Sequence, residues 1–120
     1  MRYLKEYNRY RYYNGKGFAE WERSQMMDVE ITLSEVERIK DFCGEECHLE
    51  YGGMDIFAIS ISFSGEDYPY MDIHKTEDEW FWVNLNTESG DEYYKCDQLD
   101  GLFKLIRDSF WWMIYGVGYR

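Results

Sequence analysis

The side chains best suited to bind a metal stand in one short segment, residues 43–48 (CGEECH). Two thiolates and an imidazole are ligands that zinc prefers, but a structural zinc site takes four ligands and no second ligand pair follows at the usual spacing. Cys43 also falls on the apolar face of a predicted helix. We therefore interpret Cys43 and Cys47 as buried thiols at a helix-to-strand corner, and we predict no metal and no cofactor.

A second group with chemical potential is His74, which shares one face of a predicted strand with Asp72. A histidine beside a carboxylate can act as a general base that the carboxylate orients. Here neither a nucleophile at a known spacing nor a glycine-rich loop accompanies the pair. We therefore interpret His74 as a surface histidine, predict no catalytic residue and expect a non-enzymatic protein.

Carboxylates are concentrated at the two ends of a hairpin predicted within residues 76–115. They are Glu77, Asp78, Glu79, Glu88, Asp91 and Glu92. Paired carboxylates can hydrolyse glycosides or bind calcium, but these lie at turns and lack the spacing of a calcium-binding loop. Two interpretations remain open, a solvated acidic rim and a surface that imitates nucleic-acid phosphates or binds a basic protein.

Large aromatic side chains also lie outside the predicted core. Alternation along the strand 80–86 puts Trp80 and Trp82 on the face opposite to Phe81, Val83 and Leu85, and Tyr93 on the next strand can join them. Trp111 and Trp112, with Leu105, lie off the apolar stripe of the last helix. Exposed rings are typical of interaction hot spots. The six carboxylates and these five rings therefore form the predicted partner-binding surface, unless a tyrosine-rich N-terminal arm covers part of it.

Length and charge restrict the classes of protein further. The 120 residues predict a single domain and carry a net charge of −11, which disfavours direct binding to nucleic acid. Residues 1–23 hold six basic and three acidic residues, whereas the remainder holds seven basic and 21 acidic ones. We therefore divide residues 1–120 into a basic arm (1–25) and an acidic body (26–120). Three cysteines, no secretory segment and no apolar stretch of about 20 residues predict a cytoplasmic protein with reduced thiols.

The elements that position these residues follow from periodicity. Thr32 and Glu35 form a capping-box pattern, and Leu33, Val36, Ile39 and Cys43 form the apolar face of a helix that ends at Gly44. Strands are predicted over 47–51, 57–63, 70–75, 80–86 and 91–96, with a short one near 27–31. A longer helix follows, with Asp97 as its N-cap. The predicted fold is α+β, a two-layer sandwich in which a four- to five-stranded antiparallel meander is flanked by an N-terminal helix and a longer C-terminal helix.

Two segments carry a resemblance to a known group. The opening MRYLKEYN and the block from Asp78 to Asp108, with DEWFWV and YYKCDQLDGLFKLIRD, resemble recurrent segments of small acidic uncharacterised proteins of tailed phages. The resemblance implies a phage-encoded protein that works in the host cytoplasm. It carries no known chemistry and therefore implies no catalytic residue.

The leading functional hypothesis is a binding protein that engages a host or phage protein. Its specific form is an inhibitor of the anti-CRISPR type, whose acidic surface occupies the nucleic-acid groove of a nucleic-acid-binding protein. One alternative is an assembly protein that forms homo-oligomers through Trp80, Trp111 and Trp112. A small metal-binding protein that uses Cys43, Cys47, His48 or His74 is the remaining one.

Overall fold

The computed structural model shows an α+β fold built on an antiparallel sheet. It describes residues 10–13, 16–63 and 69–115, the last five by their backbone alone. Within this part of the chain the strands are Tyr10–Tyr13 (β1), Asp28–Val29 (β2), Cys47–Glu50 (β3), Ile59–Phe63 (β4), Tyr70–Thr76 (β5), Trp80–Thr87 (β6) and Gly90–Asp97 (β7). The helices are Lys16–Arg23 (α1), Leu33–Cys43 (α2) and Gln98–Tyr115 (α3).

The sheet is a meander extended by the N-terminal part of the chain. Its strand order is β1-β7-β6-β5-β4-β3, and every pair is antiparallel. β4 pairs with β5 as far as Ile73, and β2 pairs with the remaining end of β5 at Lys75 and Thr76. The predicted α+β class and the C-terminal helix are confirmed. β1 and α1 lie in the arm, for which no strand or helix was predicted.

Local capping signals explain where α2 begins and ends. The Thr32 hydroxyl accepts a hydrogen bond from the backbone N–H of Glu35, and the Glu35 carboxylate accepts one from the backbone N–H of Thr32. This confirms the predicted capping box. At the other end Gly44 adopts φ 86°, a conformation that favours glycine. Its N–H donates to the Lys40 carbonyl and closes the last turn.

One side of the sheet, here called the apolar face, is covered by α2 and α3. Aliphatic and aromatic side chains from β4, β5, β6 and β7 meet those of the two helices in a single buried cluster. Phe42 of α2 stacks on Phe103 of α3 with 4.6 Å between ring centroids, and Phe63 of β4 contacts Phe110 at 4.7 Å. Most of the hydrophobic stabilisation therefore resides on this face.

Two helix residues depart from the predicted faces. Leu105 is 1% exposed, so its assignment outside the apolar stripe of α3 is wrong. Leu33 is 63% exposed, so it does not belong to the buried face of α2 that Val36 and Ile39 form. Periodicity assigns a residue to a side of a helix, but it does not reveal how far the neighbouring elements extend over that side.

Within the described residues, no helix has the length and apolar character that crossing a bilayer requires.

Candidate functional site

The six predicted carboxylates occupy the turns at the two ends of β6. Residues 77–79 connect β5 to β6, and Glu88, Asp91 and Glu92 surround the turn between β6 and β7. β6 contains eight residues, and such a strand is about 24 Å long at about 3.4 Å per residue. The two groups of carboxylates therefore lie at opposite ends of the strand and do not form one continuous patch.

Asp78 is engaged in local structure. One carboxylate oxygen accepts hydrogen bonds from the Thr76 hydroxyl at 2.6 Å and from the Trp80 backbone N–H at 3.3 Å. The other lies 3.4 Å from Lys95 Nζ. Burial by itself would raise the pKa of Asp78, but these hydrogen bonds and the Lys95 charge lower it overall. Asp78 is thus ionised and committed to holding the turn.

The remaining carboxylates of this set differ in availability. Glu77 accepts a hydrogen bond from the Met27 backbone N–H at 3.0 Å, and Glu92 accepts one from the Tyr94 hydroxyl at 2.7 Å. Glu79, Glu88 and Asp91 are exposed. Only part of the predicted acidic set is therefore presented to solvent without a structural task.

The opposite side of the sheet, here called the polar face, carries Trp82 beneath α1. Trp82 is 5% exposed, its ring stacks on Tyr13 with centroids 5.6 Å apart, and Ala19 of α1 completes the cluster. Its indole N–H donates to the Thr76 hydroxyl at 2.9 Å. The prediction that Trp82 contributes to an exposed surface is wrong for this residue, because the arm folds over it.

Lys95 of β7 connects the arm to the body. Its ammonium group lies 4.8 Å from the Trp80 ring centroid and 5.1 Å from that of Trp82, within the range of a cation–π interaction. It also lies 3.4 Å from Glu22 of α1 and 3.4 Å from Asp78. The Lys95–Glu22 ion pair joins an acidic residue of the arm to a basic residue of the body, although the arm is basic overall and the body is acidic.

Of the other four predicted rings, two are partly buried and two have side chains outside the described residues. Trp80 and Tyr93 are partly buried, and the Tyr93 hydroxyl lies 3.5 Å from Asp91. Trp111 and Trp112 belong to α3 beyond Phe110, where the backbone leaves helical geometry (φ −126°, ψ 19°), and their side chains lie outside the described residues. Among the described rings, Tyr93 packs against the cluster of Trp82, and Lys95 lies close to both Trp80 and Trp82.

Sequence reasoning missed two exposed aromatic residues on α1. Phe18 and Trp21 are 53% and 59% exposed, and their rings stack at 6.1 Å. The spacing i, i+3 places them on one side of a helix, which is a signal that the sequence already contains. Ala19, and not this aromatic pair, is the residue of α1 that is buried.

A second missed feature is a group of exposed carboxylates at the C-terminal end of α2. This group, here called the α2 carboxylates, consists of Glu37, Asp41, Glu45 and Glu46. Glu37 and Asp41 are one helical turn apart, about 6 Å along the axis, and the other two follow Gly44. None of the four forms an ion pair with a described residue, in contrast to Glu35, which lies 2.9 Å from Lys75 Nζ.

The cysteine segment shows a structural arrangement. Cys43 ends α2 and Cys47 begins β3, and both thiols are buried and free. A hydrogen bond between them, together with burial, raises the pKa of Cys43. His48 is exposed. Across the described residues, no group of three or more His, Cys, Asp and Glu side chains is arranged to hold a metal ion.

Comparison with known proteins gives no relative from which a role could be transferred. Neither a family model nor a curated protein nor a solved structure matches the chain. Function therefore has to be argued from the surface and its chemistry.

Proposed function

We propose that the protein is a non-enzymatic binding protein that engages a basic surface of a protein partner through the α2 carboxylates. The observation that carries this proposal is the position of these exposed acidic side chains, which pair with no described basic residue, at the C-terminal end of a helix. None of the four has a hydrogen bond or an ion pair with another described side chain, whereas Glu77, Asp78 and Glu92 around β6 are engaged in such contacts.

Folding alone does not account for this placement. The C-terminal end of a helix carries partial negative charge, so a nearby carboxylate destabilises it by about 0.3–1 kcal/mol. Lys40 in the last turn of α2 offsets part of this repulsion. Asp41, Glu45 and Glu46 therefore cost stability in the free protein, and a partner that supplies Lys or Arg side chains would reverse the sign of their contribution.

The overall charge favours the same class of partner. A net charge of −11 repels nucleic acid and attracts basic proteins over distances of about one Debye length. Proteins that hold nucleic acid present Lys and Arg side chains to phosphates, and carboxylates can pair with the same side chains. A nucleic-acid-binding protein is therefore the partner that this surface fits best.

In its more specific form the proposal is a phage-encoded inhibitor of an anti-CRISPR type that acts in the host cytoplasm. Its support is the resemblance of MRYLKEYN and of the block 78–108 to segments of tailed-phage proteins, combined with the acidic surface. Phage plaque counts on CRISPR-protected bacteria that express the protein test this form, since an inhibitor restores plaques.

Affinity capture with two matched variants tests the general proposal. The first variant neutralises the α2 carboxylates, and the second makes the same change of charge elsewhere on the exposed surface. The substitutions are Glu37→Gln, Asp41→Asn, Glu45→Gln and Glu46→Gln in the first, and Asp55→Asn, Glu79→Gln, Glu88→Gln and Asp91→Asn in the second. Proteins retained from a bacterial lysate are then eluted with short duplex DNA and identified.

The expected result has two parts. The natural protein and the second variant retain a nucleic-acid-binding protein that duplex DNA displaces, whereas the first variant does not. The first variant should unfold at the same or a higher temperature than the natural protein, because helix-end repulsion is removed. Equal capture by both variants, or capture that DNA does not displace, would contradict the proposal.

A further inference from the structure

A pocket of about 260 Å³ lies between α1 and the polar face of the sheet. Its floor consists of Asp72 and His74 from β5 with Trp82 and Asn84 from β6, and its outer wall includes Ala19 and Arg23 of α1. Strand pairing places Asp72 directly opposite Asn84 and His74 directly opposite Trp82. The four floor side chains are therefore immediate neighbours, about 5 Å apart across the strands at their Cβ atoms.

Two polar atoms of the floor lack the partners that buried atoms normally have. His74 Nδ1 and Asn84 Oδ1 are shielded from solvent and accept or donate no hydrogen bond within the described residues. The Asp28 carboxylate lies 3.9 Å from His74 Nδ1, which is too far for a hydrogen bond. Native structures leave few buried polar atoms in this state, and such atoms are satisfied when a ligand supplies the missing group.

The charges around the pocket leave one carboxylate without compensation. At the rim, Lys16 pairs with Glu20 at 3.7 Å and Arg23 pairs with Asp28 at 2.7 Å. Asp72 accepts a hydrogen bond from the Ser60 hydroxyl at 2.7 Å but forms no ion pair with any described residue. The uncompensated charge of the pocket is therefore negative.

His74 does not supply a compensating positive charge. Burial lowers its pKa, and the nearby Arg23 charge lowers it further, while Asp28, Asp72 and the Phe57 backbone oppose the shift. The imidazole is therefore neutral at pH 7, and a neutral ring always has one nitrogen that accepts hydrogen bonds. Together with Asp72 and the Asn84 oxygen, the floor presents mainly acceptors.

The outer wall is attached to the sheet by little apolar surface. Ala19 is the buried side chain of α1, whereas Phe18 and Trp21 are exposed, so little apolar surface holds this helix on the sheet. Elements with few buried apolar contacts are those that open locally at low free-energy cost. Opening of α1 would give a ligand access to the shielded atoms of the floor.

We propose that this pocket binds a small planar organic cation, an amidinium or guanidinium group on a short apolar or aromatic stem. The N–H groups of the cation donate to the Asp72 carboxylate and to Asn84 Oδ1, as planar cations do when two acceptors lie side by side. The cation lies against the indole of Trp82, and α1 closes over the stem. The pocket volume is near the lower end for ligand sites, which suits a group about the size of benzamidine.

Titration of the intact protein with benzamidine tests the proposal, with binding followed by the side-chain N–H signals of Trp82 and Asn84 in nuclear magnetic resonance spectra. Benzamide, which has the same shape without the charge, and benzoate, which reverses the charge, are the matched ligands. We expect benzamidine to bind at least about tenfold more tightly than either, because only the cation forms charge-assisted hydrogen bonds with Asp72. Equal binding of benzamide, tighter binding of benzoate, or no benzamidine binding at millimolar concentration would overturn the proposal.

Three variants extend the test. Asp72→Asn should weaken benzamidine binding about tenfold or more, whereas Glu88→Gln removes the same charge outside the pocket and should leave binding unchanged. Asn84→Asp should strengthen binding, since it adds a second carboxylate beside Asp72. If Asn84→Asp weakens binding while the variant remains folded, the pocket does not select a cation and the proposal fails.

Discussion

The two faces of the sheet are both covered by helices, yet they are built from different chemistry. On the apolar face, α2 and α3 bury a continuous cluster that includes Phe81, Ile106 and Phe110. On the polar face, α1 covers Trp82 but also His74 and Asn84, each of which has an atom without a hydrogen-bond partner in the described structure. Packing on the apolar face stabilises the fold. The polar face retains buried polar groups that lower the stability of the fold.

β6 shows this difference within one strand. Phe81, Val83 and Leu85 point to the apolar face, and Trp82, Asn84 and Asn86 alternate with them. Five of the six are buried and Asn84 is half-buried, so burial alone does not separate the two sets. The difference teaches that the face carrying α2 and α3 maintains the fold, whereas the face under α1 has capacity for another role.

The largest expected effect comes from the apolar face. Phe81→Ala should lower the free energy of unfolding by about 3–5 kcal/mol, because the ring is 1% exposed and its removal leaves a cavity. Denaturant titration measures this loss. Phe57→Ala is the control, since that ring is 46% exposed, and it should cost about 0.5 kcal/mol or less. Equal losses would mean that the core does not lie where the structure places it.

The helix α1, which covers the polar face, should detach while the rest of the molecule remains folded. Ala19→Glu places a carboxylate where α1 meets the sheet, so α1 should detach at a cost of about 1–2 kcal/mol while the sheet remains folded. Hydrogen exchange should accelerate in α1 and stay slow in β5 and β6. Gly17→Glu is the matched control, because a Cβ atom at that position would point into open space. Equal acceleration in α1 and in β6 would contradict the separation of the two faces.

In contrast to α1, the helix α2 on the apolar face should open together with the sheet. Thr32→Ala removes the capping box of α2 and should cost about 1 kcal/mol. Because α2 shares its core with the strands, the loss should accelerate exchange in β4, β5 and β6 as well. Ser34→Ala is the control. Ser34 is exposed and lies two residues after Thr32, so its substitution should have little effect. A change confined to α2 would show that this helix is as loosely attached as α1.

The smallest effect concerns pH. The pKa of His74 is lower in the folded protein than its ordinary value of 6.5, so the unfolded chain takes up this proton first as the pH falls. The His74 contribution to stability is therefore complete above about pH 6.5 and declines below it, until the pH passes the folded value. Denaturant midpoints at several pH values should show this decline in the natural protein and in His48→Gln, but not in His74→Gln. If the decline persists in His74→Gln, other titrating groups cause it.

Much of the apolar face was predictable from the sequence. The Thr32 and Glu35 capping box, the alternation of Phe81, Val83 and Leu85, and the start of α3 after Asp97 follow from local signals, and the structure agrees with each. These signals suffice because the residues that define them are close in sequence.

The polar face was not predictable to the same extent. Alternation placed Trp82 opposite to Phe81 and left open whether the arm covers it, but no local signal predicted that α1, more than 50 residues earlier, would pack there. The same holds for the pocket, because His74 and Asn84 acquire their shielded atoms only when three separate segments meet. The α2 carboxylates were visible in the sequence, but their lack of ion pairs with described residues depends on where the lysines and arginines come to lie.

The position of β1 has a consequence for the solution behaviour of shortened forms of the protein. β1 pairs with β7 from Tyr10 opposite Cys96 to Tyr13 opposite Tyr93, and it occupies the backbone groups on the outer side of β7. A chain cleaved before Lys16 would expose those N–H and C=O groups along a strand that carries Tyr93 and Tyr94, and such an edge invites pairing with another chain. Loss of residues 1–15 would therefore move the edge of the described sheet from the four-residue β1 to the eight-residue β7, which offers a longer site for aggregation or strand exchange.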